Sequence, residues 1–126
     1  MTGFPQRVLD QLQLRSNGRC ERCGVPCAVF QAHHRRPRGM GGSTAADTNV
    51  ASNALLVCVT CHADIEANRS DGLRYGWLVR QGCDPGTVPV LRRGEWVLLG
   101  DKGEYTATPY QAVTETRDVG STNWQV

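Results

Sequence analysis

Aromatic residues are scarce in this chain: Phe, Tyr and Trp make up 6% of its 126 positions. A core built from such a composition is small, and a domain with a small core is marginally stable unless a disulfide or a metal ion supports it. Long apolar runs are missing too, so no segment approaches the length that spans a bilayer. The opening Met1-Thr2-Gly3-Phe4-Pro5 has neither the basic start nor the apolar stretch of a secretory signal. These absences lead to the expectation of a single modest domain in the cytoplasm with no membrane partner. There are no internal repeats and no coiled-coil pattern, which excludes solenoids and long helical assemblies.

What the chain does hold is six cysteines. In a reducing compartment, clustered cysteines are metal ligands more often than disulfides. Cys20-Glu21-Arg22-Cys23-Gly24 has the spacing of a zinc knuckle, in which a tight turn aims two sulfurs at one ion. Cys58-Val59-Thr60-Cys61 is its complement. Together Cys20, Cys23, Cys58 and Cys61 supply four thiolates for a tetrahedral structural zinc site. Cys27 and Cys83 have no partner at ligand spacing and read as free or buried thiols, although Cys27 lies close enough to Cys23 to compete.

The net charge is only +2, but it is unevenly spread. Residues 1–62 carry seven arginines against Asp10, Glu21 and Asp47, while residues 63–126 carry seven basic against nine acidic residues. The basic half is the half with the cysteines, and a polyanion such as nucleic acid is the natural partner of a basic patch. An ordinary solvated surface is the plain alternative.

Local patterns place these residues on elements. Pro5 suits a helix start, Val8, Leu9, Leu12 and Leu14 suggest an apolar stripe, and Ser16-Asn17-Gly18 stops the helix. Ala28 to Ala32 reads as a short strand leading into His33-His34. Arg35-Arg36-Pro37-Arg38 and the glycine-rich run to Ser43 form a basic loop, with the glycines serving loop geometry. Ala54-Leu55-Leu56-Val57 reads as a second strand, and His62 to Asn68 as a helix. Glu66 falls one turn after His62, on the same helical face.

On these residues the chain resembles the HNH endonucleases, whose active site is a ββα-metal finger. The resemblance rests on His33-His34, on Asn53 five residues before Cys58, and on Cys58-Val59-Thr60-Cys61-His62, and it spans about residues 4–69. The basic, glycine-rich run after the paired histidines is similar to that of the zinc-clipped members. The second half, with Gly76-Trp77-Leu78-Val79, Asp84-Pro85 and Val88-Pro89-Val90, more loosely resembles HNH proteins of actinobacterial phages. The resemblance implies a divalent-metal-dependent DNA endonuclease acting in phage DNA processing or packaging. DNA and a phage terminase would be its partners, and the host cytoplasm its location. It assigns His34 as the general base, and His33 and His62 as ligands of a catalytic ion. Asn53 would orient the base or contribute to the metal site, with Asn49 a rival for that role. Glu66, where some relatives have a second histidine, becomes a ligand or an outer-shell carboxylate, and a carboxylate tilts the ion toward Mg²⁺ or Mn²⁺. Arg35, Arg36 and Arg38 would grip backbone phosphates.

The chemistry is coherent with these types. An imidazole takes a proton from water near neutrality, a divalent ion neutralises charge on the phosphate, and one histidine cannot serve as both base and ligand. Two other readings stand beside this one: a non-catalytic zinc module that binds DNA or a partner, and a restriction-like or homing nuclease. The expected fold class is α+β: a zinc-clipped HNH domain over residues 1–70, a helix and β-hairpin extension over 71–108, and a polar tail over 109–126. In the extension, Gly72 to Arg80 suggests a short helix ending near Gly82. Val88 to Leu91 and Glu95 to Leu99 suggest a hairpin joined by Arg92-Arg93-Gly94.

Overall fold

Pro5, with φ already at −64°, leads directly into the first helix, α1 (Gln6–Ser16). The helix ends where Asn17 and Gly18 both adopt positive φ, 54° and 80°. Val8 and Leu12, one turn apart, are buried, whereas Leu14 is 83% exposed. Two residues correspond to about 200° of rotation, so Leu14 cannot share a stripe with Leu12. This computed structural model describes residues 3–38 and 46–109. The glycine-rich loop from Gly39 to Ala45 and the polar tail from Tyr110 on lie outside the described residues.

The next two strands form an antiparallel pair. β1 (Gln31–His34) lies against β2 (Ala54–Val57), with His33 opposite Leu55 and His34 opposite Ala54. The strand expected over Ala28 to Ala32 is thus displaced toward the histidines, because β2 offers them its backbone partners. Being inside the strand, His33 and His34 project to opposite faces of it. After β2 the chain turns at Cys58, whose sulfur accepts the Cys61 N–H, and enters α2 (Val59–Ala67). The helix expected to begin at His62 therefore begins three residues earlier, and Cys61 and His62 stand in its first turn. α3 (Arg69–Tyr75) follows and stops at Gly76, earlier than the expected end near Gly82. Gly76 has φ 79°, and a β-carbon there would collide with the Pro89 carbonyl, so this close approach requires glycine.

The remaining strands, β3 (Val90–Arg92), β4 (Glu95–Leu99) and β5 (Tyr105–Ala107), make a second antiparallel sheet in that order. The hairpin between β3 and β4 turns on Arg93 and Gly94, both with positive φ, the mirror-image turn that matches strand twist. The class is α+β, as the composition and patterns suggest.

All four residues of β2 are buried, and its alternation feeds two cores. Ala54 and Leu56 meet Phe4, Val8, Leu12 and Ala51. Leu55 and Val57 meet Ile65, Trp77, Leu78, Val90, Val97 and Leu99. The segment beyond residue 70 is therefore not an appendage. It supplies half of one core, and α3 runs across the boundary expected there.

Burial extends to charge. The Glu21 carboxylate has no exposed surface and sits between two arginines. Arg15 donates to it through Nε at 2.7 Å and Nη2 at 2.8 Å, Arg92 through Nε at 2.9 Å, and the Leu56 N–H completes the set at 2.9 Å. Arg15 also donates to the carbonyls of Ala51 and Ala54, and Arg92 to that of Arg15. This network joins α1, the first knuckle, β2 and β3. Burial alone would raise the Glu21 pKa, but the two guanidiniums hold it below the ordinary 4.5.

A carboxyl depressed in the folded state contributes stability above its unfolded pKa and loses it as pH falls through the folded value. Stability should therefore decline below about pH 4.5 in the native protein, with a weaker decline in Glu21→Gln. Glu21→Ala, which strands two buried guanidiniums, should cost about 3–5 kcal/mol. Urea unfolding across pH measures both, and a Glu21→Ala protein as stable as the native one would remove the network from this account.

Candidate active site

The four knuckle cysteines converge as their spacing predicts: the sulfurs of Cys20, Cys23, Cys58 and Cys61 lie within 4.8 Å of one another. Turn geometry brings them there. Cys20 N–H donates to the Val25 carbonyl and Gly24 N–H to the Cys20 carbonyl, curling the first knuckle. The N–H groups of Arg22, Cys23 and Cys58 all point at the Cys20 sulfur at 3.4 Å, and that of Cys61 at the Cys58 sulfur at 3.4 Å. Burial opposes a charged Cys20, but these donors win and bring its pKa down to about 7. Four clustered sulfurs with N–H groups turned toward them fit a tetrahedral ion such as zinc. Cys27 stays outside the cluster, its thiol donating to the Val25 carbonyl.

A second convergence lies in a cleft of about 620 Å³ between β1, α2 and the start of α3. One nitrogen each from His33 and His62 and one Glu66 oxygen lie within 4.8 Å of one another. The Glu66 Oε2 stands 3.9 Å from His33 Nδ1 and 3.5 Å from His62 Nε2. Each ring is oriented by its other nitrogen. His33 Nε2–H donates to the Trp77 carbonyl at 2.8 Å, and His62 Nδ1–H donates to Gln31 Oε1. Both inward nitrogens are thereby left with lone pairs facing the carboxylate. Burial drives the His33 pKa down to about 4, so the ring is neutral, the form that ligates metal. Two histidines fixed from behind and one carboxylate suit a divalent ion that keeps positions open for substrate.

His34 lines the same cleft but takes no part in that triad. Its Nε2–H donates to Asn49 Oδ1 at 2.8 Å, and Phe4 stacks on its ring at 4.1 Å with planes 14° apart. Among the described residues its Nδ1 has no partner, so the nitrogen that accepts a proton is defined by the one that does not. Burial lowers its pKa, against the Asn49 hydrogen bond, and the Arg38 charge adds to the lowering.

Three expected roles change. Asn49, not Asn53, touches His34. Asn53 is buried and spends its amide on backbone: it accepts the Arg36 N–H at 2.7 Å and donates to the carbonyls of Thr48 and Arg36. It thus ties the loop leaving β1 to the one entering β2, which sets the position of Asn49. Arg35 does not face a phosphate. It is fully buried, and its donors serve the carbonyls of Gly76, Ser52, Pro85 and Val88 at 2.8–3.0 Å. Arg36 is also buried, paired with Asp47 and the Cys83 carbonyl. Of the three arginines only Arg38 is exposed at the cleft.

Sequence reasoning missed Phe4, Gln31 and the Trp77 carbonyl. Gln31 left a signal, since it shares a strand face with His33. A backbone carbonyl leaves none.

Comparison with protein-family models, curated proteins and solved structures finds no match for this chain.

Because Gln31 holds the His62 ring from behind, Gln31→Ala should weaken divalent-ion binding in the cleft by about tenfold while leaving the cysteine cluster intact. Calorimetric Mn²⁺ titration of zinc-loaded protein measures this, and equal affinities would show that the bond does not position the ring.

Proposed function

We propose that this chain is a divalent-metal-dependent endonuclease of the HNH type that hydrolyses DNA phosphodiesters. One observation carries the reading: His33, His62 and Glu66 converge in a cleft where His34, outside the triad, keeps a ring nitrogen with no partner among the described residues. A binding module has no use for a base held beside a ligand set. The ββα order of β1, β2 and α2 agrees with the resemblance noted from the sequence.

In this reading, Cys20, Cys23, Cys58 and Cys61 hold a structural zinc ion, and His33, His62 and Glu66 hold the catalytic one, Mg²⁺ or Mn²⁺ by its carboxylate. The catalytic ion, when bound, supplies charge neutralisation at the phosphate and at the departing 3′ oxygen. The protein supplies orientation and the proton transfer. His34 Nδ1 takes a proton from water as the water oxygen bonds to phosphorus. The bond from phosphorus to the 3′ oxygen breaks, that oxygen takes a proton from solvent, and the ends are 5′-phosphate and 3′-hydroxyl. Asn49 fixes the tautomer that leaves Nδ1 as acceptor, and Phe4 holds the ring plane. The looser likeness of the second half to phage HNH proteins suggests DNA packaging beside a terminase as the setting.

Plasmid DNA incubated with zinc-loaded protein should be cut with Mg²⁺ or Mn²⁺ and not without a second ion. His34→Ala should lower the rate by about 10²–10⁴-fold with an unchanged melting temperature. Protein that binds DNA but cuts under no ion would replace this reading with that of a zinc-stabilised binding module.

A further inference from the structure

Of the three arginines that the sequence singles out for DNA, Arg35 and Arg36 are inside the protein, which leaves the cleft Arg38 and whatever other cations line it. Two exposed arginines line it, Arg38 and Arg69. Arg38 stands where the chain leaves β1, beside Gly3, whose added β-carbon would meet Arg38 Nη1 at 3.0 Å. That places it near Asn49 and so near the base. Arg69 lines the cleft from another element, as the first residue of α3 and three residues after Glu66. Among the described residues, no carboxylate lies within ion-pair distance of either guanidinium.

The cleft also carries the Glu66 carboxylate, which repels a polyanion. A pair of cations offsets that repulsion, and a guanidinium on a flexible stem reaches phosphate with two parallel donors.

We infer that Arg69 is a DNA-backbone contact and forms, with Arg38, a clamp that grips phosphates on both sides of the scissile one. This rests on the nuclease reading and deepens it. The clamp positions the duplex by charge and reads no base.

The test is equilibrium binding of a mixed-sequence duplex of about 20 base pairs by the full, zinc-loaded chain without a second ion, over a range of salt concentrations. Arg69→Glu should weaken binding at least tenfold and reduce the slope of log K against log salt by about one. Arg69→Lys should keep the slope. Arg7→Glu, the same charge change at an exposed α1 position that does not line the cleft, should barely alter it. Matching melting temperatures confirm that the variants are folded. If the native protein binds duplex and Arg69→Glu behaves like Arg7→Glu in affinity and slope, the clamp is overturned and the nuclease reading survives. If the native protein binds no duplex, both fall together.

Discussion

A carboxylate closed off from water between two arginines organises this protein. Glu21 lies inside the first cysteine knuckle, and its four donors come from α1, β2 and β3. Desolvating such charges is costly, and the cost is met only because each donor and acceptor is engaged. The network therefore tolerates one arrangement of the segments it joins. It sets the knuckle against β2 and brings the hairpin of the second half back onto the first. Arg93 adds to it by donating to the carbonyls of Ser16, Arg19 and Cys20.

Arg35 does for the cleft what Glu21 does for the knuckle. Its guanidinium collects carbonyls from Ser52, Gly76, Pro85 and Val88, so the segment after α3 is pinned beside β1. That segment presents the Trp77 carbonyl to His33. His33 in the first half thus owes its tautomer to a backbone atom in the second, and the same core residues support both. The cysteine cluster acts in parallel: Cys58 and Cys61 frame the first turn of α2, where His62 stands and Glu66 follows one turn later. A shared frame gives the two candidate metal sites a fixed relation without a shared ligand.

Much of this was legible in the chain. Paired cysteines at knuckle spacing and histidines flanking a strand and a helix announce themselves, because metal chemistry demands particular atoms at particular separations. The strand at Ala54 to Val57, the helix after Pro5 and the hairpin around Arg93-Gly94 follow from apolar runs and turn residues. What stayed hidden depended on partners distant in sequence. An arginine that meets phosphates and one that meets carbonyls have the same sequence signature, and only the return of residues 76–88 decides for Arg35. Nothing in the spacing of the first knuckle marks Glu21 as the centre of a charge network, because Arg92 reaches it from β3. Asn49 and Asn53 were rivals separated by loop geometry, and it is the buried Asn53 that holds the loop from which Asn49 reaches His34.

In the proposed function, an ion held in the cleft, distinct from one held by the four thiolates, makes this chain a nuclease. The most direct measurement titrates Mn²⁺ into zinc-loaded protein, reading occupancy and duplex cleavage in the same samples, for the native chain and His62→Ala. One Mn²⁺ should bind per chain, cleavage should rise in step with occupancy, and both should be lost in His62→Ala with the zinc retained. Cleavage without the second ion, or full occupancy without cleavage, would contradict the nuclease reading.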